Sequence, residues 1–122
     1  MPDSAVVRRF VDTVEAGDFT GAIERFYLPD AYMQENQAEP RVGRARLVAE
    51  EAAIMASAKQ ITARCLGAPL IEGDRVAIRW QFQFTFPDGR GFTQEEVAWQ
   101  TWRGAAIAEE TFFYDPAQQA PR

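Results

Sequence analysis

The sequence predicts an α+β fold, in which three N-terminal helices pack on one face of a curved, mostly antiparallel sheet. Apolar residues recur with a helical period up to about residue 58, whereas from Lys59 onward they alternate as in β-strands. A chain of 122 residues, 47% of them hydrophobic, is long enough for one core but not for two. We therefore expect a single domain over residues 1–122, ordered from about 4 to 116, with the element order α-α-β-α-β-β-β-β.

The first two helices are predicted by apolar stripes and by capping residues. Residues 4–16 place four apolar side chains on one helical stripe: Val7, Phe10, Val11 and Val14. Ser4 is the expected N-cap, and Gly17 follows at a position where helices commonly end. Asp18 is expected to cap a second helix, which stops at "LPD" because a residue before proline is pushed out of the helical region.

A short strand and a third helix complete the N-terminal half. The strand is predicted over residues 31–36 and carries Glu35. A loop containing Pro40 leads into a helix over residues 44–58. Its inward stripe is predicted to consist of four apolar residues: Leu47, Val48, Ile54 and Met55.

Four strands are predicted for the rest of the chain, at roughly 60–71, 75–86, 91–103 and 105–114. The turn sequences "EGD", "PDGRG" and "RGA" separate them. Within "RVAIRWQFQFTF", Trp80 and Phe82 point to one face of the strand, and Arg79 points to the other. Composition favours the aromatic face as the one under the helices. A one-residue shift in the "PDGRG" turn would reverse this choice, so it stays open.

Composition excludes several functions. With 13 basic and 18 acidic residues, a net charge of −5 and no basic cluster, the chain is not expected to bind nucleic acid. It has no apolar run of the ~20 residues that a membrane span needs, so we expect a cytoplasmic protein. It has no histidine and one cysteine, Cys65, which excludes His-based triads and His- or Cys-ligated metal sites. We expect no metal and no cofactor; carboxylate, arginine, tyrosine and amide chemistry remain.

Four segments carry a resemblance to a known family: "VEAGDFTGAIERFYLPDA", "VGRARL", "GDRVAIRWQFQF" and "FFYDP". Together they resemble the SnoaL-like branch of the nuclear-transport-factor-2-like (NTF2-like) superfamily, which is related to ketosteroid isomerase and limonene epoxide hydrolase. The resemblance implies a cone with one open end, a small-molecule pocket, and a homodimer formed through the sheet. It does not imply one activity, because the superfamily contains isomerases, cyclases, epoxide hydrolases, dehydratases and binding modules.

The catalytic residues of the related enzymes do not carry over as a set. In the ketosteroid isomerase pattern, Glu35 lies at or beside the base position, but Phe10 and Ala98 stand where the two oxyanion donors are expected. In the epoxide hydrolase pattern, Arg79 matches the arginine, whereas the two carboxylate positions hold Gln81 and Phe112. The His–Asp pair of SnoaL polyketide cyclases has no counterpart, because the chain lacks histidine.

Glu35 and Glu110 are the predicted catalytic residues, with Glu96 as an alternative second carboxyl group. By resemblance, Glu96 and Glu110 are the inward members of their Glu–Glu pairs. Arg79 or Gln100 would donate to an oxyanion. In the structural alternative, Glu35 is bonded to Arg41 or Arg44 at the rim, and the strand carboxylates pair with Arg79 or Arg103. Nine residues are the predicted ligand contacts: Phe10, Tyr32, Arg79, Trp80, Phe82, Glu96, Gln100, Phe112 and Tyr114.

Two function classes follow. The first is a protein that binds a small, largely apolar metabolite and transfers a proton next to a carbonyl group, as in isomerisation, cyclisation or dehydration. The second is a non-catalytic binding or dimerisation module. The module predicts that arginine neutralises every inward carboxylate, whereas the enzyme predicts at least one unpaired carboxyl group in an enclosed pocket.

Overall fold

A computed structural model describes residues 1–121, in which three helices pack across one face of a seven-stranded sheet. The helices are α1 (Ser4–Glu15), α2 (Phe19–Phe26) and α3 (Arg44–Ser57). The strands are β1 (Tyr27–Glu35), β2 (Arg41–Val42), β3 (Gln60–Cys65), β4 (Leu70–Glu72), β5 (Arg75–Thr85), β6 (Gly91–Arg103) and β7 (Ala106–Phe113). A 3-10 turn, Pro116–Gln119, follows. Arg122, the last residue of the predicted domain, lies outside the described residues.

The N-terminal helices begin at capping aspartates. Asp3, not Ser4, caps α1, because its carboxylate accepts a hydrogen bond from the Val6 amide at 2.8 Å. Asp18 caps α2 as predicted and accepts from the Gly21 amide at 3.1 Å. Helix α1 buries its whole predicted stripe. Helix α2 buries Phe19, Ala22 and Ile23 of its predicted stripe, whereas Phe26 is only partly buried.

The first strand is longer than predicted. β1 starts at Tyr27, directly after α2, and not at residue 31. It pairs in parallel with β7, and the register shifts between Tyr27 and Tyr32, around Pro29. Because proline has no N–H to donate, it is accommodated at such an irregularity in the ladder. The short β2, which pairs with β1, was not predicted.

The C-terminal meander contains one more break than predicted. The segment 60–71 forms two strands, because Gly67 adopts a φ of 87° and Pro69 follows it. Both β3 and β4 pair with β5, at different parts of that long strand. The sheet order is β2-β1-β7-β6-β5-β3, with β4 beside β5, so the strands that carry the site residues are neighbours.

The aromatic face of β5 lies under the helices. Ile78 and Trp80 are buried, whereas Arg79 lies on the outer face, half-exposed, 3.9 Å from Glu95 of β6. The choice favoured by composition is therefore right, and the reversed arrangement, in which Arg79 would face the pocket as the epoxide hydrolase resemblance implies, is wrong. Within the described residues, no helix has the length and apolar character needed to cross a membrane.

Candidate functional site

A cavity of about 340 Å³ opens between the helices and the inner face of the sheet. Its wall is largely apolar and includes seven phenylalanines: Phe10, Phe19, Phe82, Phe84, Phe86, Phe92 and Phe112. The long strands β5 and β6 supply Phe82, Phe84 and Phe92, because their alternation sends every second side chain inward. A wall of this kind suits a small, largely apolar ligand.

Glu110 of β7 sits at the buried end of the cavity, held by a chain of hydrogen bonds. The Tyr27 hydroxyl donates to Glu110 Oε1, and Gln100 Nε2 donates to Glu110 Oε2 at 2.6 Å. The Trp102 indole N–H in turn donates to Gln100 Oε1 at 2.9 Å, which fixes the orientation of that amide. Gln100 and Glu110 are 0% and 1% exposed, so the protein, not solvent, determines the environment of this carboxyl group.

Burial raises the pKa of Glu110 to about 7, because the charged form is desolvated. The hydrogen bonds from Gln100 and Tyr27 oppose this by favouring the carboxylate, and Glu35 and Glu51 raise the pKa further by like-charge repulsion. Burial and the neighbouring Glu110 charge likewise raise the pKa of Tyr27 well above its usual range. Glu110 is therefore poised to exchange a proton near neutral pH.

Glu96 of β6 is the second buried carboxyl group, 8% exposed. Gln94 Nε2 donates to its Oε2 at 3.0 Å, and Gln119 Nε2 donates to Gln94 Oε1 at 2.8 Å. Burial raises the pKa of Glu96 to about 8; the Gln94 hydrogen bond lowers it, and the charge of Glu110 raises it. Because nothing within residues 1–121 donates to the other oxygen, Oε1, that atom can carry a proton toward a ligand.

Among the carboxyl groups that line the cavity, Glu35 is the one that forms an ion pair with an arginine within residues 1–121. Its Oε2 lies 2.6 Å from an Arg41 nitrogen, and Arg41 also bonds Glu50 at 3.1 Å. The expected alternative of an ion pair with Arg41 is therefore confirmed for Glu35. The corresponding alternative for Glu96 and Glu110 is wrong, because neither forms an ion pair with an arginine within residues 1–121.

The structure places the predicted contacts in two groups. Six predicted ligand contacts and both predicted catalytic residues line the cavity: Phe10, Trp80, Phe82, Glu96, Phe112, Tyr114, Glu35 and Glu110. Arg79 and Tyr32 lie on the outer face of the sheet, where the Tyr32 hydroxyl donates to Glu109 at 3.1 Å. Gln100 lies behind Glu110, 0% exposed and outside the cavity lining, where its amide donates to Glu110 and accepts from Trp102. The expectation that Arg79 or Gln100 donates to an oxyanion is thereby corrected.

The cavity residues that sequence reasoning missed include Tyr27 and Glu51, which bear on its chemistry. Glu51 interrupts the inward stripe of α3 between Leu47 and Ile54, so helical spacing alone could have revealed it. Tyr27 gave no such signal, because β1 was predicted to start four residues later. Among residues 1–121, no three His, Cys, Asp or Glu side chains are grouped to hold a metal ion.

Helices laid across a curved sheet, with a cavity between them, define the class: the protein has an NTF2-like α+β fold. The family follows from the sequence. The family model described as a SnoaL-like domain matches residues 7–110, so the chain belongs to the SnoaL-like family.

Solved structures agree on the fold. A Mesorhizobium loti protein, provisionally named a SnoaL-like polyketide cyclase, is 23% identical, with a TM-score of 0.77 over 93% of this chain and 100% of its own. An NTF2-like protein of Burkholderia pseudomallei is 13% identical, with a TM-score of 0.78 over 93% and 90%. A protein of a Jannaschia species with the same provisional name is 16% identical, with a TM-score of 0.77 over 97% and 92%. No curated protein matches the chain significantly.

Proposed function

We propose that the protein binds a small, largely apolar carbonyl compound and transfers a proton at the carbon beside the carbonyl group. One observation carries this proposal: two buried carboxyl groups, Glu96 and Glu110, line an apolar cavity without an arginine partner. This is what the enzyme hypothesis requires and what the binding-module hypothesis does not predict. Isomerisation, cyclisation and dehydration all include such a step.

The two carboxyl groups suit opposite roles. Glu110 accepts two hydrogen bonds, which favours its carboxylate, so it acts as the base through Tyr27. The Tyr27 oxygen takes the proton as the C–H bond breaks, and the hydroxyl proton of Tyr27 passes to Glu110. Glu96 has the higher pKa and a free oxygen, so it donates its proton to the carbonyl oxygen and the product is an enol.

Glu35 is less suited to the role of base that the sequence suggested. The Arg41 guanidinium holds its Oε2 at 2.6 Å, and about a third of its side chain faces solvent. Its carboxylate is therefore engaged in an ion pair at a partly exposed rim. Glu35 and Arg41 are better placed to fix the wall between β1 and β2.

The test is deuterium incorporation beside the carbonyl group of apolar cyclic ketones, such as 1-tetralone and 2-tetralone, in D₂O by NMR. We expect Glu110→Gln to slow the exchange by about 10²–10⁴-fold, the usual contribution of a general base. The amide preserves the packing, since its oxygen accepts from Gln100 and its NH₂ donates to the Tyr27 oxygen. Glu109→Gln, at the neighbouring outward position, is the matched control and should leave the rate unchanged.

Wild-type exchange no faster than in the Glu110→Gln variant would refute the catalytic role. If the same ketones then bound saturably, the binding module would be the correct function, because ligand binding needs the cavity but not the proton.

We further propose that the protein forms a homodimer through the outer face of its sheet. Trp99 of β6 and Phe113 of β7 are 46% and 44% exposed there, and their strands are paired. Two large apolar side chains held on a rigid surface are typical of the centre of an interface.

A further inference from the structure

Glu51 of α3 is a cavity residue without a partner. It lines the cavity, yet it forms no hydrogen bond or ion pair with any group within residues 1–121. The nearby arginine is not available to it, because Arg41 bonds Glu35 at 2.6 Å and Glu50 at 3.1 Å. Burial raises the pKa of Glu51, the charge of Arg41 lowers it, and the charge of Glu35 raises it; all three residues line the cavity.

The cavity wall carries more acidic than basic groups. Its carboxyl side chains are four: Glu35, Glu51, Glu96 and Glu110. Arg41 is the one cation among the described lining residues, and it neutralises Glu35. The other three carboxyl groups interact with one another, since the charge of Glu51 contributes to the raised pKa of both Glu96 and Glu110. A ligand anion would therefore be repelled, and a ligand cation would supply the missing countercharge.

Neutral aromatic rings surround these carboxyl groups. Phe84 and Phe92 stack with their centroids 4.5 Å apart, and Phe86 lies 5.9 Å from Phe92. The two tyrosines of the wall, Tyr27 and Tyr114, also stay neutral, because burial raises the pKa of both. The faces of such rings attract substituted ammonium groups, which are only weakly hydrated.

We propose that the ligand carries a substituted ammonium group, which Glu51 binds while the aromatic rings of β5 and β6 contact the apolar body. The proposal rests on the proposed function, since it names the ligand class of the same cavity. It adds an anchoring role for Glu51 on the helical side, which leaves Glu96 and Glu110 on the sheet side free for proton transfer.

The test compares two probes of the same shape: the phenethyltrimethylammonium cation and its neutral carbon isostere, (3,3-dimethylbutyl)benzene. Binding is followed by tryptophan fluorescence, since Trp80 lines the cavity. At about pH 8.5 we expect the cation to bind at least ~10-fold more tightly, as for one desolvated cation–π or ionic contact. Because a bound cation favours ionised carboxylates, its affinity should fall about 10-fold toward pH 6, while the isostere shows no such loss.

Variants assign the effect to Glu51. Glu51→Gln should weaken cation binding by about 10-fold and leave the isostere within about twofold. Glu95→Gln, which removes a half-exposed carboxylate from the outer face, should change neither. Equal or tighter binding of the isostere, or an unchanged cation affinity in Glu51→Gln, would overturn the ammonium assignment and leave the proposed proton transfer standing. If neither probe bound, both the ammonium assignment and the apolar-ligand cavity would be refuted.

Discussion

Replacing Glu96 by glutamine should stabilise the protein at alkaline pH. The folded protein raises the pKa of Glu96 from 4.5 to about 8, so the native state holds a proton that the unfolded chain releases. Between these two values the native state binds more protons, and the free energy of unfolding therefore falls as pH rises. The contribution of Glu96 to the free energy of unfolding is therefore fully present below pH 4.5 and is lost as the pH rises through about 8.

The magnitude follows from the size of this shift. Each pKa unit corresponds to about 1.4 kcal/mol, so ~3.5 units set a ceiling of roughly 5 kcal/mol on the cost of ionising Glu96 in the folded state. Relaxation and water entering the cavity lower the effective penalty of a buried charge, and we expect about 2 kcal/mol. Glu96→Gln removes this cost and keeps an acceptor for the Gln94 amide.

The assay is urea unfolding between about pH 5 and about pH 9, at one protein concentration, followed by tryptophan fluorescence. Wild type should lose stability across this range, whereas Glu96→Gln should show a shallower decline and exceed wild type by about 2 kcal/mol at the alkaline end. Glu95→Gln, with its half-exposed side chain 3.9 Å from Arg79, should follow wild type within about 0.5 kcal/mol. A flat wild-type profile, or equal gains from both variants, would refute the reasoning.

Three further predictions concern the activity and the assembly. The rate of deuterium exchange should rise with pH as Glu110 ionises near 7 and fall as Glu96 ionises near 8, and Glu96→Gln, which removes the proton donor, should lower the rate and abolish the alkaline fall; a rate independent of pH would contradict these roles. Glu35→Gln should change the exchange rate by no more than about threefold, because Arg41 already neutralises Glu35; a loss of about 100-fold would identify Glu35 as the base after all. Trp99→Lys should convert dimers to monomers in sedimentation velocity, whereas Leu70→Lys, at an exposed position of β4, should not; a wild-type monomer would refute the homodimer.

The parts of the fold that follow from local patterns were predictable. The alternation in β5 identified the face that carries Trp80 as the buried one, because only that face offers enough apolar surface to pack beneath three helices. The start of β1 was not predictable in this way. Leu28 before Pro29 indicated a chain leaving a helix for a loop, but pairing with β7, about 80 residues later, extends the strand through the proline.

In the site, too, features that depend on neighbouring residues were predictable, whereas contacts between residues far apart in the sequence were not. That one member of each Glu–Glu pair points inward follows from strand geometry, and Glu96 and Glu110 are those members. Their partners are a tertiary property, since Tyr27 lies 83 residues from Glu110 in the sequence. Charge pairing with Arg79 was a reasonable expectation, but Arg79 lies on the opposite face of the sheet and cannot reach either carboxyl group.

The partner of Glu110 is the uncharged amide of Gln100, and this bears on function. An arginine at position 100 would neutralise Glu110 fully and hold its pKa well below neutral, at the cost of its ability to take and return a proton. Gln100 satisfies one oxygen at 2.6 Å without adding charge, and Trp102 prevents the amide from turning over. Stability alone does not require this arrangement, because apolar residues of similar volume often replace buried charged groups without loss. A carboxyl group that is hydrogen-bonded on both oxygens, and whose pKa burial raises to about 7, suits proton transfer, so the groups around Glu110 support the proposed reaction.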